Sequence, residues 1–137
     1  MNSQTAGPTP FELAGGPEAV RALAMRFYDE METHEPALTA VHRQDAPGKV
    51  SAASREAFAM FLAYWLGGPQ DYTQVHGHPR LRMRHGHVRI DAEMRDAWLR
   101  SMTRAMDGLG IAGEVRTFLD KRFADVADFL RNAPETP

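Results

Sequence analysis

Apolar residues in this chain recur at intervals of three and four, and that spacing decides what the chain can build. Val20, Leu23, Phe27 and Met31 make one such stripe with Tyr28 beside it, and Phe58, Phe61, Leu62 and Trp65 make another. An α-helix turns once in about 3.6 residues, so these positions collect on one face, whereas a half-buried strand would alternate. Alternation is almost absent, so helices must supply the core.

Glycine, proline and capping side chains divide the helical pattern. Gly15-Gly16-Pro17 opens the first long helix, since proline suits a first turn that lacks N–H partners. Pro36 starts a short turn or helix, Ala37 to Val41, and Ser51 or Ser54 can cap the next one. That helix is apolar nearly all round from Ala57 to Leu66, which predicts burial on more than one face, and Gly67-Gly68-Pro69 ends it. A loop from Gln70 to Pro79 leads to a short segment, Arg80 to His85, closed by Gly86. Asp91 can cap a long helix carrying Met94, Trp98, Ser101, Met102, Ala105 and Leu109, with Gly108 and Gly110 at its end. The last helix runs from about Glu114 to Leu130, with Val115, Phe118, Leu119, Arg122, Val126 and Phe129 roughly in line. Met60, Met94, Met102 and Met106 sit on the stripes as adaptable core filler.

Four substantial helices joined by short connections predict an all-α domain. At 137 residues the chain suits one domain, expected over residues 11–132, with an arm at 1–10 and a tail at 133–137. The absence of cysteine excludes disulfides, thiolate metal sites, iron–sulfur clusters and a cysteine nucleophile. Sixteen basic against eighteen acidic residues give a net charge of −2, which predicts no broad attraction to nucleic acid. Met1–Gly16 lacks the basic start and apolar run of a secretory signal, and the longest apolar stretch, Ala57 to Leu66, is far short of a membrane span. A cytoplasmic protein without membrane contact is the expectation.

The densest unusual stretch is His76-Gly-His-Pro-Arg-Leu-Arg-Met-Arg-His-Gly-His87, which holds four of the six histidines. Three readings of it compete. A charged run of this kind commonly faces water. The His76/His78 and His85/His87 pairs can instead ligate a metal, although an i, i+2 spacing with no carboxylate nearby suits zinc poorly. A single neutral imidazole on a short helix, with arginines within a turn, matches what a haem iron and its propionates need.

Four stretches carry a family likeness: Phe27-Tyr28, Gly67-Gly68-Pro69 behind an aromatic-rich helix, Gly77-His78-Pro79-Arg80-Leu81-Arg82-Met83-Arg84-His85, and Asp96-Ala97-Trp98-Leu99. On these the chain resembles the group II truncated haemoglobins, small two-over-two helical globins, from Phe11 to about Asn132. The resemblance implies a two-over-two helical sandwich around haem b, with His85 as the iron ligand. It implies that Tyr28, Trp98 and His42 are the distal polar side chains. Tyr28 offers an O–H and Trp98 an N–H to bound dioxygen, and His42, where many relatives carry Phe or Tyr, adds a group that titrates near neutral pH. Ser54 falls where larger globins place a distal histidine, so it leaves an open gate. Phe58 should face the distal pocket and Phe61 the haem. Arg84, and with it Arg82 and Tyr72, is expected within reach of the propionates.

A five-coordinate haem of this kind binds O₂, CO and NO. Two donors on one ligand predict tight holding, which suits NO detoxification or peroxidase-like chemistry better than simple oxygen transport. Turnover of NO requires a reductase, because the chain has no GxGxxG or other nucleotide motif of its own. The alternative is a gas-sensing or ligand-binding module without turnover that signals through a partner, as a monomer or homodimer. A third reading, a cofactor-free helical protein using Arg80–Arg89 as a basic contact patch, would leave the haem motif vestigial.

Overall fold

The computed structural model describes residues 8–70, 72 and 90–131. Helix α1, Pro10–Leu13, is a single turn held by a reciprocal cap: the Thr9 hydroxyl accepts from the Glu12 amide, and the Glu12 carboxylate accepts from the Thr9 amide. Thr9 and Pro10, expected in a loose arm, therefore belong to the folded unit. Phe11 is buried, and its amide donates to the Leu66 carbonyl at 2.9 Å. The Phe11 ring occupies the space beside Gly68, where an added Cβ would lie 2.6 Å from it. Gly67 takes a φ of +91°, a conformation that glycine adopts without strain. The paired glycines thus end a helix and also seat the first aromatic ring of the core.

Helix α2, Pro17–His34, follows Gly16 and buries Val20, Leu23, Ala24, Phe27, Tyr28 and Met31, the stripe that the spacing predicted. Glu35 closes α2 and opens α3, Pro36–Ala40. A two-stranded antiparallel hairpin follows, β1 Gln44–Ala46 and β2 Lys49–Val50, turned at Gly48 with φ +78°. Strands of three and two residues are too short for alternation to register, which is why no strand was expected here. Helix α4, Ala52–Trp65, is capped by Ser51, whose hydroxyl accepts from the Ser54 amide. Helix α5, Ala92–Gly108, starts on Asp91, whose carboxylate accepts from the Met94 amide at 2.9 Å. Helix α6, Gly113–Leu130, completes the described part of the fold.

Helix α2 packs against both α4 and α5, and α5 packs against α6. Helices α4 and α6 stand further apart and meet through long aromatic side chains, Trp65 on Phe123 at 5.3 Å between ring centres. Phe27 ties the layers together: it is 1% exposed and touches Tyr28 and Phe58 at 5.0 Å and Trp98 at 5.1 Å. Burying a ring of that size contributes roughly 1.5–3 kcal/mol.

Three expectations about buried faces are corrected. Of the α4 residues, only Ala59 and Leu62 are buried, because its aromatic side borders a cavity rather than a packed neighbour. Leu109 is 40% exposed, since it lies past the last turn of α5, and Met106 takes the core position. In α6 the buried residues are Leu119, Phe123 and Ala127, whereas Phe118 and Phe129 point outward. Among the described residues, no helix is long and apolar enough to cross a membrane.

Candidate functional site

A cavity of about 330 Å³ lies where α4 and α6 part. Tyr28 from α2, His42 just beyond α3, Ser54, Phe58 and Phe61 from α4, Trp98 from α5, and Tyr72 all line it. These seven side chains, spread over the 70 residues from Tyr28 to Trp98, share one space. His85 and Arg84, and with them Arg82 and the whole multi-histidine reading, lie outside the described residues. Among the described residues, no group of three His, Asp or Glu side chains is placed to hold a metal ion directly.

The lining also includes Ala57, Leu62, Trp65, Phe123, Val126 and Leu130, which the sequence reading did not assign to the site. Leu62 and Trp65 were legible: they continue the Phe58 and Phe61 face by one turn. Phe123, Val126 and Leu130 share a helical face at i, i+3 and i+7, but the competing Phe118–Phe129 line hid it.

Aromatic rings shape most of the wall. Phe58 and Phe61 stack at 6.5 Å, Phe61 and Trp65 at 6.3 Å, and Tyr72 meets Phe61 edge-on at 5.5 Å. Tyr72 is buried and also stacks on Tyr64 at 6.1 Å. Such flat apolar faces accept a flat apolar guest and offer little to a small polar one.

Two donors interrupt this surface. Tyr28 is 5% exposed, and its hydroxyl has no hydrogen-bond partner among the described residues. Burial pushes its phenol well above the ordinary tyrosine range, against a weaker opposing pull from the Arg55 cation, so the group stays protonated and able to donate. The Trp98 indole N–H likewise has no partner among the described residues, and its ring is wedged between Phe27 at 5.1 Å and Phe123 at 5.8 Å. A buried donor left unmade, as at Tyr28, costs about 1–3 kcal/mol, and with the half-buried Trp98 N–H beside the same cavity it marks where a polar ligand belongs.

His42 closes one side. Its Nδ1 lies 2.9 Å from the Leu38 carbonyl, which can only accept, so Nδ1 carries a hydrogen. It meets Tyr28 edge-to-face at 5.8 Å without hydrogen bonding to its hydroxyl. Ser54 is held at the α4 start, accepting from the Ser51 hydroxyl at 3.0 Å. The flat aromatic walls and the two unmatched donors fit haem with a diatomic ligand.

Comparison with known proteins agrees with that fit. The model of a family described as bacterial-like globin matches residues 9–132. The chain is 39% identical over 126 residues to the group 2 truncated hemoglobin YjbI of Bacillus subtilis (strain 168), covering 92% of this chain and 90% of that one. The group II truncated hemoglobin of Bacillus anthracis superposes with a TM-score of 0.85 at 33% identity, over 96% of this chain and 97% of that one. The truncated oxygen-avid haemoglobin from Bacillus subtilis superposes with a TM-score of 0.81 at 36% identity, over 91% of this chain and 100% of that one.

Proposed function

The chain belongs to the bacterial-like globin family, as a group II truncated haemoglobin, and from that premise we propose that it holds haem b on His85 and retains O₂ through Trp98 and Tyr28. Haem-based gas binding comes with the family; the particular ligand chemistry comes from this chain's own side chains. When bound, haem supplies an iron with one open position for O₂, CO or NO.

Every other part of the task falls to the protein. His85 donates a nitrogen lone pair and must be neutral to do so. Phe58, Phe61 and Trp65 hold the flat cofactor by face contact and keep bulk water out. Arg84 and Tyr72 offer a cation and a hydroxyl to its carboxylates. Ser54 is small and leaves the entrance open. Trp98 and Tyr28 point donors at the negatively polarised end of the diatomic, and each such bond is worth roughly 1.5–3 kcal/mol when the acceptor carries charge. His42 adds a titrating group at the same wall.

The observation that carries the reading is the pair of donors, Tyr28 and Trp98, lacking partners around an aromatic cavity. Two bonds favour slow release, which suits NO dioxygenation or a peroxidase-like reaction more than delivery of oxygen. The similarity to the oxygen-avid haemoglobin of Bacillus subtilis supports the same direction. As an enzyme the protein needs an external electron donor, since its own sequence carries no flavin or nicotinamide motif.

Replacing Trp98 with Phe keeps the ring and removes the N–H. The O₂ dissociation rate, measured by stopped flow, should rise at least about tenfold, the equivalent of one lost hydrogen bond. An unchanged rate takes Trp98 out of the ligand-holding role.

A further inference from the structure

We infer that Arg55 is a positioning residue for the Tyr28 phenol, its guanidinium held over the face of the ring so that the hydroxyl becomes a stronger and better-aimed donor to the ligand. The inference rests on the reading of Tyr28 as a ligand-holding donor and adds the group that sets its strength.

Arg55 follows Ser54 on α4 but does not line the cavity; its side chain crosses to α2 instead. There the guanidinium donates to the Met25 carbonyl at 3.2 Å, to Asp29 at 3.0 Å and to Glu32 at 2.9 Å. Positions 25, 29 and 32 share one helical face, and Tyr28 stands on that face among them. A guanidinium fixed to all three acceptors therefore lies across Tyr28, and its central carbon is 5.5 Å from the ring centre. The Arg55 side chain is only 18% exposed, so the contact is a partly desolvated one, where a cation over a ring matters most.

The physical effect follows from the ring's charge distribution. A cation over the π face draws electron density from the ring and from the oxygen attached to it, and the O–H becomes a better donor. The two carboxylates on Arg55 weaken the field without cancelling it. Asp29 is 60% exposed and screened by water, Glu32 is only 10% exposed but also faces Lys49 at 3.7 Å and accepts from the Val50 amide, and the cation is the charged group that lies over the ring. The same cation opposes the effect of burial on the phenol, in the direction that favours donation. Glu32 is in turn fixed by the Val50 amide at 2.7 Å, so the hairpin helps to hold the cluster that aims the tyrosine.

The test is the infrared C–O stretch of the reduced, CO-loaded holoprotein, which falls as hydrogen bonding to the ligand strengthens. Tyr28→Phe should raise the frequency. Arg55→Met should raise it too, by less, and the double variant should match Tyr28→Phe alone, because Arg55 acts through the phenol. Arg55→Lys, which keeps the charge, should return the band toward the wild-type position. The O₂ dissociation rate of Arg55→Met should rise by about two- to fivefold. Where Arg55→Met does not fold, Arg55→Gln removes the charge and keeps a donor for the Met25 carbonyl. If Tyr28→Phe moves the band and neither neutral variant does, Arg55 has no positioning role. A shift from Arg55→Met that survives in full without the Tyr28 hydroxyl overturns the inference as well. If Tyr28→Phe itself leaves the band in place, the donor reading of Tyr28 fails and the inference fails with it.

Discussion

His42 and Tyr28 stand edge to face across one side of the cavity, and only one of the two titrates near neutral pH. Nδ1 already donates to the Leu38 carbonyl, and a protonated His42 would add a positive charge at the distal wall. That charge favours a negatively polarised ligand below the histidine's pKa and is lost above it. The pH dependence of O₂ dissociation between about pH 5 and 8 should therefore flatten in His42→Phe. Persistence of the slope in the variant assigns it to another group. Tyr28 and Trp98 were named from sequence because they stand in the Phe27-Tyr28 and Asp96–Leu99 motifs, whereas His42 lies in none of the four motifs and came from the family resemblance alone. What neither identified was Arg55, an arginine with no local motif whose role depends on three acceptors of another helix.

The corner between α2 and α3 is where helices answer to charge. Glu35 accepts from Arg100 at 2.9 Å through both carboxylate oxygens and from Arg104 at 2.8 Å, which fastens the corner to α5, the helix bearing Trp98. The hydrogen bond from Arg100, aided by Arg104 and opposed by burial, lowers the Glu35 pKa from 4.5 to about 2. A lowered folded-state pKa means that the stabilisation is present above about 4.5 and fades as pH falls toward about 2. With Arg100 49% and Arg104 38% exposed, solvent screening leaves about 1–2 kcal/mol of the full effect at neutral pH. In urea unfolding, Glu35→Gln should show that deficit at pH 7, and the gap to wild type should close below pH 4.5. A gap that stays constant through acid means that charge is not what fastens the corner. Of the elements themselves, α2 and α5 were legible because a long stripe and a capping side chain agreed on each. Helix α1 and the hairpin were not, since one turn and two short strands leave no period to count. Helix α6 was found with Leu119 rightly inward but with Phe118 and Phe129 in place of Phe123: its apolar residues occupy two lines, and only packing against Trp65 and Trp98 decides for Phe123.

Taken together, α2 packs on α4 and α5, α5 packs on α6, and the space between α4 and α6 is bridged by rings rather than by backbone contact. That arrangement makes a cavity whose walls come from six separate parts of the chain, and no stretch of sequence spells it out. Periodicity was enough for the all-α class, and the resemblance of a few motifs was needed to say where the helices should leave a gap and why. All of this turns on whether the gap holds haem on His85. The most direct measurement is the absorption spectrum of the purified protein in ferric, dithionite-reduced and CO-treated forms, beside His85→Gly. We expect a Soret band, a five-coordinate ferrous form and a stable CO adduct, all degraded in the variant. A wild-type protein that stays colourless with added haem, or a variant spectrum indistinguishable from it in the presence of bound haem, contradicts the claim.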